Sequence, residues 1–472
     1  MHRLIFSVMA LLALSACSLA PDYTRPAAPV PAAWPTGPAY QEGASHTGQA
    51  VADIPWQEFF IDPQLQKLIT LALENNRDLR VAALNIERSR AQYQIRRADL
   101  LPEIDAIGQG SGRRVPADLS GAGEAVTNHQ YHVDLGVSAY ELDLFGRVRS
   151  LKDQALEQYL ASEQARRSVQ ISLVAEVAAN YLTLAADRER LALVKETLAT
   201  YQLSFELSRS RFEAGIASAL DFNQAKTAVE AARAEIARYT TVVAQDENAL
   251  NLVVGTQVPA ELQPQALSAT LTAVKELAPG IPSEVLLHRP DILQAESLLK
   301  GYNANIGAAR AAFFPRITLV STIGTGSAEL SGLFKDGSLA WSFAPFISLP
   351  IFDAGRNQAN LQVAAADREI AVARYEQAIQ TAFREVADAL ARRGTIDAQL
   401  AAQQALTDAT EESYRLSLAR FDKGVDNYLA VLVSQRFLYG AQQSLISARL
   451  DRLNNLVTLY KVLGGGWSEP LP

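Results

Sequence analysis

VAANYLTLAADRERLALVKETLATYQLSFELSRSRFEAG, residues 177–215, is the stretch whose reading decides the fold. Val177, Leu184, Leu191, Leu198, Phe205 and Phe212 recur at every seventh position. A strict seven-residue stripe drifts slowly around a straight helix, so it implies a left-handed supercoil against neighbouring helices. Around this stretch, residues 147–254 contain no proline and a single glycine, Gly215, and are rich in the strong helix formers Ala, Leu, Glu, Gln and Arg. The stripe stops at Arg211-Phe212-Glu213-Ala214-Gly215, and Ser218 starts a new helix. The segment reads as a very long helical hairpin with a glycine turn. At 1.5 Å per residue the arm 147–211 extends about 95 Å, more than any ordinary globular domain needs.

A second copy lies toward the C-terminus. Arg420-Phe421-Asp422-Lys423-Gly424 repeats the turn at an offset of 209 (424 less 215), and the same offset aligns Gly146-Arg147 with Gly355-Arg356 and Ser218 with Asn427. Upstream, Leu101-Pro102 aligns with Phe314-Pro315 at an offset of 213 (315 less 102), so the first copy carries the longer loop there. Three landmarks in register establish an internal duplication.

Composition narrows the class. Mean hydropathy is only +0.01 and no run of about 20 apolar residues recurs, which excludes a bundle of transmembrane helices. The net charge is −8 with dispersed basic residues, so a nucleic-acid role has no support. The five histidines form no ligand-spaced cluster, and His129 and His132 read as solvated residues at a loop and strand. At the N-terminus, His2 and Arg3 precede the apolar run 4–14, which is too short for a bilayer span and has the form of a secretion signal over 1–16. Leu14-Ser15-Ala16-Cys17 follows and holds the only cysteine, which rules out an internal disulfide. It resembles a bacterial lipobox, with cleavage before Cys17 and an acyl lipid (palmitate) on its thiol as the only attached group expected. Ser18 stands where an aspartate would signal retention in the inner membrane, so the outer membrane is the expected address.

The mature chain divides into an extended strap at 17–62, a first repeat at 63–255, a linker at 256–282, a second repeat at 283–463 and a tail at 464–472, of which the part after Trp467 is expected to be mobile. Each repeat offers a helix, a strand pair and a long helical hairpin. In the first, Asp62-Pro63 starts a helix that Pro102 stops, with one continuous helix expected over 63–101. Strands are expected over 104–111 and 131–142. Tyr131, Val133, Leu135, Val137 and Ala139 alternate with His132, Asp134, Gly136 and Ser138. In the second, Ile317, Leu319 and Ile323 alternate with Thr318, Thr322 and Gly324, and Trp341, Phe343, Ile347 and Leu349 with Ser342, Ala344 and Ser348. Pro345 argues against the central part of that last strand.

Nothing else in the chain supplies an apolar layer to cover these strands, and their pattern is that of a transmembrane barrel. Four strands cannot close one, since the smallest have about eight. An open edge in lipid leaves backbone groups unpaired at several kcal/mol each. Two or more copies must therefore share a barrel; the residues themselves leave dimer, trimer and larger rings open. At the turns, Gly215 and Gly424 suit a left-handed helix exit, and Ser218 and Asn427 suit the caps of the returning helices. Asp221, three residues after Ser218, completes a capping-box pattern.

These features together resemble the TolC family of outer-membrane efflux proteins, and more closely its lipidated OprM-like branch, which serves RND multidrug pumps. The resemblance rests on the duplicated hairpins, the two tip segments 211–220 and 420–429, Arg289-Pro290-Asp291-Ile292 opening the second copy, and the lipobox. It implies an α+β membrane protein: a homotrimer in which four strands per chain make a twelve-stranded transmembrane β-barrel, continuous with a long periplasmic α-helical barrel. It implies that the tips, with Arg211, Phe212, Gly215, Ser218, Arg420, Phe421, Gly424 and Asn427, dock a periplasmic adaptor leading to an inner-membrane RND pump. It places a periplasmic gate near Leu429 and Arg436. There the sequence departs from the branch: four residues after Leu429, where an aspartate is usual, stands Val433. A carboxylate ring would then have to come from Asp426 or Asp221.

An enzyme is disfavoured, because no metal spacing, nucleophile elbow or phosphate loop appears and Glu411-Glu412 point in different directions on a helix. A non-conducting coiled-coil tether needs no amphipathic strands. The remaining alternative keeps the duct and changes its client, to type I secretion or metal efflux.

Overall fold

The computed structural model describes residues 18–40, 51–121, 123–267 and 283–467. The expected leader, Cys17 with the lipid expected on it, most of the linker and residues 468–472 lie outside the described residues. The chain forms two compact units. One comprises Met1–Ala27, Asn85–Glu163 and Gln294–Glu376; the other comprises Ala28–Leu84, Gln164–Leu293 and Gln377–Pro472.

Asp62 starts α1 (Pro63–Asn75) as the sequence suggests, accepting a 2.7 Å hydrogen bond from the Gln64 amide. The single helix expected over 63–101 is instead two, α1 and α2 (Arg77–Ala98). Asn76 makes the break. Its backbone is extended, its Oδ1 accepts the Leu79 amide at 2.9 Å, and its Nδ2 donates to the Val253 carbonyl at 2.7 Å. An asparagine that offers the backbone a local partner competes with the helix in this way.

In the first unit, β1 (Ile104–Val115), β2 (Val126–Glu141), β3 (Arg316–Ser327) and β4 (Leu339–Ser348) form one antiparallel sheet in the order β1-β2-β3-β4. The first two strands run longer than expected. Gly110 and Gly112 extend β1 because they leave room for the rings of Tyr131 and His129 opposite them. Val137 pairs with Ser321 but Tyr140 with Leu319, so β2 holds one extra residue, a bulge at Ser138-Ala139. The alternation expected to run through Ala139 is therefore re-phased after Val137. Pro345 lies inside β4 opposite Leu319, tolerated because β4 is an edge strand of this sheet.

The registers put Leu135, Ile323, Trp341, Phe343 and Ile347 on one face, with Asp134, Thr322, Ser342 and Gly324 on the other. Trp341 is 73% exposed and Ile347 65% exposed. Burying such side chains is worth about 1.5–3 kcal/mol each, so leaving this face uncovered in water opposes folding strongly.

The four strand ends at 104, 141, 316 and 348 lie at one end of the sheet and all connect to helices. α3 (Arg147–Glu213) follows β2, α5 (Pro290–Ala311) precedes β3, and α6 (Arg356–Asp422) follows β4. At this end Glu141, nearly buried, takes Arg147 at 2.7 Å and Arg316 at 2.6 Å. The strap lies along α5: Asn303 donates to the Pro21 carbonyl at 2.7 Å, and Arg25 clasps the buried Glu296 with bonds of 3.0 and 2.5 Å.

The second unit holds α4 (Ala219–Val254), α7 (Tyr428–Val462) and the parts of α3 and α6 from Gln164 and Gln377 onward. Val177 and Leu184 of the heptad stripe are fully buried, Leu191, Leu198 and Phe205 partly so, and Phe212 is 41% exposed. The strap is not wholly extended, since Trp56–Phe59 forms a helical turn whose aromatic rings enter the core. There Phe59 stacks on Tyr460 with ring centres 3.9 Å apart, and the Tyr460 hydroxyl donates to the Ile54 carbonyl. The tail is packed as far as it is described. Gly464, Gly465 and Gly466 are buried, and Arg167 lies 4.6 Å over the Trp467 ring.

Candidate functional site at the hairpin tips

Both hairpins turn by the same device. Gly215 has φ +74° and Gly424 φ +72°, the left-handed region that side chains other than glycine seldom enter. The Gly215 amide donates to the Phe212 carbonyl at 2.9 Å and the Ile216 amide to Arg211 at 2.8 Å. Gly424 donates likewise to Phe421 at 2.9 Å and Val425 to Arg420 at 3.0 Å. These paired bonds are the Schellman exit, which satisfies the last carbonyls of a helix. Such exits commonly bury the hydrophobe after the glycine. Here Ile216 is 78% exposed and Val425 61% exposed, which leaves apolar side chains at both tips open to a partner.

The returning helices are capped as their sequences suggest. Ser218 and Asp221 form a reciprocal capping box, and Asn427 accepts the Ala430 amide at 3.3 Å. The first tip is braced by rings, with Phe222 stacked on Phe212 at 5.3 Å and beside Phe205 at 5.4 Å. The second packs Phe421 against Tyr428 at 5.2 Å, and Arg211 of the first tip lies 4.7 Å over the Phe421 ring. That cation–π contact joins the tips. Arg420 grips Asp426 with bonds of 2.6 and 3.1 Å, and this hydrogen bond with its charge holds the Asp426 carboxyl below the usual aspartate range. Both carboxylates considered for a charged ring are thus engaged within the chain: Asp426 by Arg420, Asp221 by Ser218.

Past the second tip, α7 presents two apolar faces. Tyr428, Val431 and Leu432 are buried against the other hairpin, and Gln435 one turn on is buried as well. Leu429, Val433 and Phe437, four residues apart, are 39%, 41% and 67% exposed. They line a groove of about 510 Å³ whose other wall includes Thr410, Ser413 and Ser417 of α6. Arg436 is exposed; burial pushes the Tyr201 hydroxyl up, and the Arg436 charge offsets part of that push. Phe437 escaped the sequence reading, although its four-residue spacing from Val433 was the available signal.

A second cluster was missed. Asp187 on α3 and Asp246 on α4 lie together, with Arg190 bridging Asp187 at 2.8 Å to Ser447 of α7 at 2.8 Å. Burial first, then the hydrogen bond and charge of Asp187, push the Asp246 carboxyl up to about 6, against the pull of Arg190. The folded state thus holds a proton that the unfolded chain releases from near pH 4, so stability falls as pH rises between about 4 and 6. The full shift corresponds to about 3 kcal/mol. Solvent screening of a partly exposed group reduces it to about 1 kcal/mol. Asp246→Asn is expected to raise the thermal midpoint at pH 7.5 and flatten its pH dependence below 7. A lower midpoint at pH 7.5 would contradict the raised Asp246 carboxyl. Its signal in the sequence was the run Asp187-Arg188-Glu189-Arg190 interrupting an apolar helix.

Among the described residues no group of three or more His, Cys, Asp or Glu is placed to hold a metal ion. The duplicated hairpins, the amphipathic sheet and the apolar tips define the class of outer-membrane ducts. The family profile described as outer membrane efflux protein matches residues 68–256 and 281–465, and the chain belongs to that family. It is 53% identical to the toluene efflux pump outer membrane protein TtgC of Pseudomonas putida, over 97% of this chain and 94% of that one. It is 47% identical to the outer membrane protein OprJ of Pseudomonas aeruginosa, over 99% and 98%. The open-state crystal structure of the Neisseria gonorrhoeae MtrE outer membrane channel matches with a TM-score of 0.85 at 39% identity, covering 96% of this chain and 99% of that one.

Proposed function

We propose that this chain is the outer-membrane duct of a tripartite efflux pump, expelling small apolar molecules delivered by an inner-membrane RND transporter through a periplasmic adaptor. The observation that carries the reading is the sheet: four strands, an exposed apolar face, and β1 and β4 with no further partner among the described residues. Three copies supply twelve strands, enough for a barrel with a lumen. The tips, with Ile216 and Val425 exposed, are the surface offered to the adaptor. The relatives named for toluene and antibiotic efflux favour small-molecule export over protein secretion.

Detergent-purified protein is expected to be a trimer by light scattering and to conduct ions in planar bilayers. A monodisperse, non-conducting monomer would overturn the reading. Lipid on Cys17 is part of the proposal, resting on the sequence around that residue. Mass spectrometry of the mature N-terminus should find an acylated cysteine, and an unmodified N-terminus at another residue would refute it.

A further inference from the structure

We infer that Ile351 and Phe352 of one chain form a knob that seats in a groove of the adjacent copy, between the end of α2 and the start of α3, locking neighbouring chains just beneath the barrel. The inference rests on the shared-barrel reading above and adds a specific contact to it.

Ile351 is 87% exposed and Phe352 90% exposed, among the most exposed large apolar side chains described. They are not on a slack loop. Pro350 precedes them. After them Asp353 accepts the amides of Gly355 at 3.0 Å and Asn357 at 2.9 Å, fixing the turn into α6. Within that turn Ala354 has φ +54°, the only residue other than glycine with positive φ among those described. A non-glycine residue held there costs on the order of 1 kcal/mol, a strain that persists only where surrounding structure imposes it. The chain thus holds two large hydrophobes rigidly in solvent. Rigid presentation lowers the ordering cost of docking.

The receiving surface is in the same unit, at the opposite edge of the sheet. A groove of about 440 Å³ is lined by Gln92, Ile95 and Arg96 of α2 and by Leu151, Gln154 and Ala155 of α3. Ile95 on its wall is 63% exposed. Ile95, Leu151 and Ala155 give the groove an apolar part among Gln92, Gln154 and Gln158, and Arg96 in its lining is suited to an aromatic face.

Sheet topology brings the two together. α2 leads into β1 and the knob follows β4, and β1 and β4 are the two edges. The start of β1 and the end of β4 lie at the same, helix-connected end of the sheet. Phe352 is four residues past Ser348, within about 13 Å of the last strand residue. When β4 of one copy pairs with β1 of the next, knob and groove face each other across the seam. Within one chain they are separated by the width of the sheet.

The test pairs cysteines across the seam. Full-length protein carrying Ile95→Cys and Phe352→Cys is purified in detergent, sized by light scattering, then oxidised or treated with a short bismaleimide. Each single variant controls for links through Cys17. Cross-linked dimers and trimers on denaturing gels, present only in the double variant, are expected. A trimeric particle that yields no cross-linked species overturns the knob and leaves the shared barrel standing. A monomeric wild-type particle overturns both. Phe352→Ala gives an independent readout: its trimer should dissociate on heating at least about ten-fold faster than wild type, the effect of roughly 1.4 kcal/mol. An unchanged rate counts against the contact.

Discussion

Replacing Gly424 with proline is expected to make cells as drug-susceptible as a strain lacking the duct, while leaving the amount of assembled trimer at the wild-type level. Proline fixes φ near −65° and has no amide hydrogen. At Gly424 it must abandon φ +72° and also lose the bond to the Phe421 carbonyl. The Val425 bond to Arg420 then fails as well, and the Schellman exit opens. The damage is confined to the tip, because no neighbouring side chain or backbone lies within 4 Å of where a Cβ on Gly424 would stand. Gly215→Pro acts by the same argument on the first tip. Drug susceptibility and native gels measure the two quantities separately. If both variants retained wild-type susceptibility, the tips would not be the docking surface. If trimer were lost, their role would lie in folding.

How far the sequence reaches is clearest at these same elements. The seven-residue stripe is a local pattern, and Val177 and Leu184 are indeed fully buried. The turns were legible to the hydrogen bond, since Gly, Ser, Asp and Asn at fixed offsets permit few alternatives. The helix break at Asn76 was not legible, because it depends on the Val253 carbonyl, 177 residues away in the chain. Nor was the bulge in β2, which changes no residue type and is visible only in the pairing with β3. The pairing of Arg420 with Asp426 lay between both cases. The residues stood six apart, but only the turn brings them to 2.6 Å.

The second large effect concerns closure. Leu429→Ser is expected to raise resting conductance in planar bilayers about ten-fold or more and to make cells leak to bulky antibiotics. Leu429, Val433 and Phe437 form an exposed apolar seam on α7, and repeated around a three-fold axis such a seam can exclude ions by dewetting. Serine at its tip-proximal end supplies the hydroxyls that let water in. Asp426→Ala removes an exposed ion pair of small energy. It should leave resting conductance near wild type, because Asp426 is spent on Arg420 and adds little free charge. If Asp426→Ala opened the pore and Leu429→Ser did not, the seal would be electrostatic.

The two turns, descended from one duplicated unit, have come to differ in how they are fastened. Stacked rings, Phe212 on Phe222, hold the first; the second adds the exposed Arg420–Asp426 pair to the edge-on packing of Phe421 against Tyr428. Ring stacking is indifferent to ionic strength, whereas an exposed ion pair weakens as salt screens it. In a three-fold assembly six turns would then alternate, three without an ion pair and three with a salt-sensitive one. A ring six-fold in outline would then answer to ionic strength at only every second turn.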